Sequence, residues 1–161
     1  MSAIGSYAVL TRGELRGCLA LAQSVRAQTT GRWIFKQTQV IGIEEFRRAW
    51  HAAVVREVDF AHSGYVLGNY VDAQQAINGI QLIDEQSEGA RALSRIFTAA
   101  FLFDAPVSLP DLPAERLLAF CREEYGVDAA EMIEALTAAH LFYQRGLAEI
   151  TPEHLVVFVI S

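Results

Sequence analysis

Residues 60–72 contain the side chains best suited to bind or transform a ligand. Between Asp59 and Asp72 the sequence has no aspartate, glutamate, lysine or arginine, and the imidazole of His62 is counted as neutral. At helical spacing, one face of this segment carries four side chains that can hydrogen-bond: His62, Tyr65, Asn69 and Asp72. This face is a candidate binding pocket, with His62 as its general acid or base. The competing interpretation is that the rings half-bury at a helix edge while Asn69 and Asp72 face water.

A group of acidic residues is the second candidate site. Four glutamates lie close together in the sequence: Glu123, Glu124, Glu131 and Glu134. An acidic surface of this kind can attract a basic protein, because complementary charge raises association rates and selects partners. The competing interpretation is a solvated helix face, with Glu131 explained by helix capping. The spacing of the carboxylates matches no calcium-binding loop, so no metal site is predicted.

The other histidines and both cysteines fit structural roles better than chemical ones. No two of the four histidines have a zinc-binding spacing, and the sequence has no HExxH and no CxxC. His51 and His140 fall on core-facing helical stripes, so we expect packed or hydrogen-bonded imidazoles, whereas His154 is expected to be exposed. Cys18 and Cys121 have apolar neighbours and are predicted to lie in the core. Phosphate-binding loops and GxSxG are also absent from the sequence, so we predict no cofactor and favour a non-catalytic role over an enzymatic one.

The charge of the chain argues against nucleic acid as a partner. Thirteen basic and nineteen acidic residues give a net charge of −6 and a pI near 5.2, whereas nucleic-acid-binding proteins present a basic face. The charge is uneven, since residues 1–41 have five basic residues and one acidic residue. The predicted order of helix 114–125, helix 128–145 and strand 155–160 resembles a winged helix-turn-helix. Acidic residues at the start of its second helix would repel phosphates.

Hydrophobic periodicity predicts one α+β domain over residues 1–161. About six helices are expected to pack on a small sheet made of two N-terminal strands and one C-terminal strand: Ile4–Leu10, Trp33–Ile41 and Leu155–Ile160. The predicted helices begin at the capping boxes Thr11/Glu14 and Asp128/Glu131, after Gly42, and near Gly64, Asp84 or Ser87, and Ala114. The fourth helix is expected to follow an apolar stripe from Ala90 to Phe101.

A small bacterial interaction protein in the cytoplasm fits these features best. Arginine supplies all but one of the basic residues, which favours a GC-rich bacterial genome, and the N-terminus resembles no signal peptide. No apolar run approaches the roughly 18 residues of a membrane span. We expect an immunity or antitoxin-like protein that neutralises a basic toxin through its acidic surface.

Two alternatives remain open. One is a small-molecule-binding protein or enzyme with a pocket around His62, Tyr65, Asn69 and Asp72. The other is a subunit of a homo-oligomer, because the hydrophobic content of 52% leaves apolar surface that could be buried between chains.

Overall fold

The computed structural model describes residues 3–30, 37–126 and 129–161. The described residues form six strands, namely β1 Gly5–Thr11, β2 Arg26–Thr30, β3 Gln37–Ile41, β4 Val54–Asp59, β5 Ala99–Phe103 and β6 His154–Ile160. They also form six helices, namely α1 Arg12–Ser24, α2 Ile43–Ala53, α3 Tyr65–Asn78, α4 Glu88–Leu93, α5 Ala114–Tyr125 and α6 Ala130–Leu147. The predicted α+β class is therefore confirmed.

Four of the strands form an antiparallel sheet in the order β4-β1-β6-β5. The C-terminal strand β6 is central, and residues 155–160 are all buried, as expected for an apolar strand covered on both faces. β1 pairs with β6 along its whole length, from Gly5 opposite Ile160 to Thr11 opposite His154. The two ends of the chain thus build the middle of one sheet.

Helices cover both faces of this sheet, because successive side chains of a strand point to opposite sides. Tyr7 and Val9 of β1 belong to the core under α3, α5 and α6. Ala8 and Leu10 belong to the core under α1, α2 and α4. The molecule therefore has three layers, and the candidate site residues all lie in the layer of α3, α5 and α6 or beside it.

The second predicted strand lies outside the main sheet. Residues 37–41 form β3, which among the described residues pairs with β2 alone in a separate two-stranded ribbon. Residues 33–36 of the predicted strand lie outside the described residues. The alternating pattern predicted strand correctly but did not indicate its partner. β4 and β5 take the positions at the edges of the sheet.

Two local predictions were wrong. The predicted helix over Ala90–Phe101 ends at Leu93, and Ala99–Phe103 is strand β5, because its backbone groups pair with β6. Thr11 makes no side-chain capping bond, since it is still the last residue of β1. Asp128, the cap predicted for α6, lies outside the described residues.

The start of α3 is fixed against β1 by a close contact of two backbones. The Gly64 amide donates a 2.8 Å hydrogen bond to the Ala3 carbonyl. A Cβ atom at Gly64 would lie 2.7 Å from the carbonyl carbon of Ile4, so only glycine fits there. At the other end, Gly79 has a φ of 67° and closes α3 as the predicted left-handed cap.

Candidate functional site: an acidic surface around Tyr125

The four side chains of the predicted polar–aromatic face do not share one cavity. His62 precedes α3, and its ring lies 5.4 Å from that of Phe60. It lines a depression of about 290 Å³ with Asp59, Leu141 and Arg145, among others. Tyr65, the first residue of α3, is 54% exposed. Asp72 is exposed and lines a different depression further along the helix.

Asn69 and Asp72 instead meet the helices that carry the predicted acidic residues. Asn69 is half-buried, and its Nδ2 lies 4.0 Å from the thioether sulfur of Met132 on α6, a weak hydrogen-bond acceptor. Asp72 is close enough to Tyr125 of α5 to affect its ionisation. Part of the first predicted set therefore adjoins the second, which the spacing in sequence did not reveal.

The four predicted glutamates are all exposed. Glu123 and Glu124 lie in the last turn of α5, and Glu131 and Glu134 lie near the start of α6, on either side of Met132. We call these four carboxylates, together with Asp72 and Tyr125, the acidic surface. Among the described residues, none of its carboxylates has an arginine, lysine or histidine nitrogen within 4 Å.

Tyr125 is the aromatic residue of this surface and is 40% exposed. Its ring contacts that of Phe120 edge-on, with centroids 6.1 Å apart. Partial burial raises the pKa of Tyr125, and the negative charges of Asp72 and Glu124 raise it further, as does Cys121. α3 packs beside α5, so the carboxylate of Asp72 and that of Glu124 belong to neighbouring helices. A half-exposed tyrosine beside uncompensated charge is a typical anchor for a protein partner.

A buried polar cluster between α3 and α6 was not predicted as a unit. The hydroxyl of Tyr70 lies 2.6 Å from Nδ1 of His140 and accepts a 2.8 Å hydrogen bond from Nε2 of Gln74. Gln74 also donates to the Pro110 carbonyl, and Asn78 donates to Oε1 of Gln74 and to the Asp111 carbonyl. Tyr70, Gln74 and Asn78 are spaced four apart on α3, and this spacing was the available signal.

Burial keeps the phenol of this cluster protonated. It raises the pKa of Tyr70 to about 12, so the hydroxyl stays neutral at physiological pH. The Tyr70 hydroxyl and Nδ1 of His140 share one hydrogen bond, and the imidazole tautomer decides which of the two donates. On the other side of the ring, Nε2 of His140 lies 3.4 Å from Oδ1 of Asp111. His140 Nε2 is itself buried without a hydrogen-bond partner among the described residues.

The order of carboxylate, imidazole and hydroxyl in this cluster is reminiscent of a hydrolase triad, but the hydroxyl is inaccessible. Tyr70 has no exposed surface, so no substrate can reach its oxygen. The cluster instead holds the segment after β5 against α3, because Gln74 and Asn78 donate hydrogen bonds to the carbonyls of Pro110 and Asp111 in that segment. His140 is thus hydrogen-bonded, as predicted.

The remaining histidines and the cysteines add no chemical site. His51 is exposed, so the prediction of a packed imidazole was wrong there: the ring lies one position beyond the buried stripe of Phe46 and Trp50. His154 is half-buried, not exposed as expected, with Nδ1 3.2 Å from the Thr151 hydroxyl. Both cysteines are buried, as predicted. Burial raises the pKa of each thiol, which lowers its reactivity.

No family profile, curated protein or solved structure matches this chain. The described part of the chain contains no group of three or more histidine, cysteine or carboxylate side chains placed to hold a metal ion. None of the helices described has the length and apolarity to cross a membrane. The acidic surface and the buried cluster are therefore interpreted from their own geometry.

Proposed function

We propose that this chain is a protein-binding protein whose acidic surface docks a basic segment of a partner. The observation that carries the proposal is a group of exposed carboxylates on the mutually packed helices α3, α5 and α6, beside the half-exposed Tyr125. Among the described residues, no cationic nitrogen lies within 4 Å of these carboxylates. Uncompensated charge attracts an oppositely charged partner over a distance, and the tyrosine ring adds apolar contact area once the partner is bound.

The biological setting that we propose is a bacterial immunity or antitoxin-like role in the cytoplasm. A carboxylate surface can cover a cationic cleft of a toxin by reproducing the charge of its substrate. A neighbouring gene that encodes a basic toxic protein would support this setting. Neutralisation of that toxin by the wild-type chain, and not by a chain with reversed charges on the acidic surface, would test it.

The alternative proposal, a small-molecule pocket with His62 as acid or base, has weaker geometric support. The depression at His62 is lined by neither Tyr65, Asn69 nor Asp72. A ligand bound there would contact Arg145 and the rings of Phe60 and Phe142 instead. We therefore rank it second.

The main proposal can be tested with a short arginine-rich peptide and calorimetry. We expect the peptide to bind the wild-type chain at low salt and to be released at high salt, because exposed charge pairs are screened. The variant Glu123→Lys/Glu124→Lys/Glu131→Lys/Glu134→Lys should bind at least about tenfold more weakly, with its fold intact by circular dichroism.

A matched control separates local charge from net charge. The variant Glu14→Lys/Glu45→Lys/Glu115→Lys/Glu153→Lys changes four exposed glutamates outside the acidic surface and alters the net charge equally. It should keep most of the affinity for the peptide. Equal loss in both variants, or undiminished binding by the first, would refute a localised docking surface.

A further inference from the structure

The β2–β3 ribbon is the least covered part of the described fold. It has five cross-strand pairs, from Arg26 opposite Ile41 to Thr30 opposite Gln37. All ten of its side chains are exposed, Ile41 least at 36%, so neither face is buried by the rest of the described residues. A two-stranded ribbon alone is only marginally stable in water. An ordered ribbon with two bare faces is therefore well suited to packing against another molecule.

The two faces of the ribbon differ in chemistry. Because cross-strand pairs share a face, one face carries most of the hydrogen-bonding side chains, those of Arg26, Gln28, Thr30, Gln37 and Gln39, together with the apolar Ile41. The other face carries Ala27, Val40 and the pair Thr29–Thr38, whose hydroxyls lie 3.3 Å apart. Val40 is 53% exposed. The ribbon thus offers amides, hydroxyls and a few apolar groups, with a single positive charge and no negative one.

The charge of this region is opposite to that of the acidic surface. From Leu15 to Ile43 the sequence has four basic residues and no acidic one. Arg26, the charged residue of the ribbon itself, forms no ion pair with the described residues. One copy of the chain therefore carries Arg26, which has no ion-pair partner among the described residues, and the acidic surface, whose carboxylates have no cationic nitrogen within 4 Å among those residues.

We propose that the β2–β3 ribbon of one copy docks on the acidic surface of a second copy. Arg26 approaches the carboxylates of Glu124 and Asp72, and the amides of Gln28 and Gln39 provide hydrogen bonds to exposed carboxylates. The ring of Tyr125 lies against Ile41, the apolar residue on the same face as Arg26. This inference rests on the proposed function and names the segment, carrying Arg26, that the acidic surface receives.

A second copy fits this ribbon better than a nucleic acid does. The ten ribbon residues include one cation, too few for the phosphate contacts on which such binding depends. In a reciprocal pair, each ribbon meets the acidic surface of the other copy, and the assembly closes with two-fold symmetry.

Disulfide trapping between two variants tests the contact directly. Gln39→Cys places a thiol on the ribbon and Glu124→Cys places one on the acidic surface, while the native Cys18 and Cys121 are at most 1% exposed. With a tag on one variant, mild oxidation of the mixture should give mainly the mixed dimer, and high salt should suppress it. The control mixture of Gln39→Cys with Glu153→Cys, an exposed residue outside the acidic surface, should give far less.

Analytical sedimentation of the chain without introduced cysteines provides the second measurement. We expect the wild-type chain to self-associate at low salt and the Arg26→Glu variant to do so about tenfold more weakly. A mixture of Arg26→Glu with Glu124→Arg should recover part of the lost association. Ribbon-to-ribbon dimers as the main trapped product would overturn the inference. A chain that stays monomeric at every salt and protein concentration would also overturn the inference, whether or not it binds duplex DNA.

The arginine-rich peptide distinguishes this inference from the proposed function. If the peptide binds the acidic surface but no mixed dimer forms, the docking of the ribbon is wrong and the proposed function stands. If neither the peptide nor the ribbon binds, both are wrong. If both bind, the peptide should compete with formation of the mixed dimer.

Discussion

The hydroxyl oxygen of Tyr70 lies 2.6 Å from Nδ1 of His140, so a residue of α3 and a residue seventy positions later on α6 share one hydrogen bond inside the core. This bond continues through Gln74 to the carbonyl of Pro110. It therefore joins two helices and the segment that follows β5, within the layer that bears the acidic surface.

Removing the Tyr70 hydroxyl should destabilise the protein without affecting binding. Tyr70→Phe leaves Nδ1 of His140 without its buried partner and removes one of the two acceptors of Gln74 Nε2, which should lower the free energy of unfolding by about 1–3 kcal/mol. Urea denaturation measures the change. Tyr65→Phe, at a ring 54% exposed, is the control and should change stability by less than about 0.5 kcal/mol. Equal stability of the two variants would show that the buried bond contributes little.

Alkaline pH should destabilise the fold through the buried tyrosines. Burial raises the pKa of Tyr70 to about 12 and raises that of Tyr143 well above its usual value, while an unfolded tyrosine ionises near 10. Between these values the unfolded state loses protons first, so the free energy of unfolding falls as the pH rises from about 10 to about 12. Urea midpoints across this range should fall less steeply for Tyr70→Phe than for the wild type. Parallel curves would contradict the assignment.

Two helical glycines should respond in opposite ways to alanine. A Cβ at Gly146 of α6 would lie 2.5 Å from Cζ of Phe158 on β6, so Gly146→Ala should cost about 1–3 kcal/mol through overpacking. At Gly17 of α1 a Cβ meets nothing within 4 Å, and Gly17→Ala should stabilise by about 0.5–1 kcal/mol through helix propensity. Thermal or urea unfolding compares them. A neutral Gly146→Ala would show that α6 does not press on β6.

The two cysteines should resist modification in the native state. Cys18 and Cys121 are at most 1% exposed, and burial raises the pKa of both thiols. A thiol reagent such as dithionitrobenzoate should react with neither in native buffer and with both in concentrated urea. Rapid labelling of a native thiol would show that the adjoining helix opens readily, and would require serine replacements before the disulfide-trapping experiment.

Much of the local structure followed from the sequence because it depends on near neighbours. The predicted fifth helix has the observed bounds Ala114–Tyr125, and the apolar run Leu155–Ile160 is a buried strand. The predicted glycine cap after Asn78 is present. In each case the spacing of apolar residues, or one residue with a special backbone conformation, determines the structure within a few positions.

Only the tertiary structure decided which distant segments meet. Apolar spacing in Ala99–Phe103 is compatible with helix or strand, and pairing with β6 more than fifty residues later selects strand. The same holds for the site: Asp72 and Glu124 are assigned to one surface because α3 packs beside α5. The free energy of such contacts depends on residues far apart in the chain, which no local pattern records, whereas the type of each helix or strand is largely a property of its own residues.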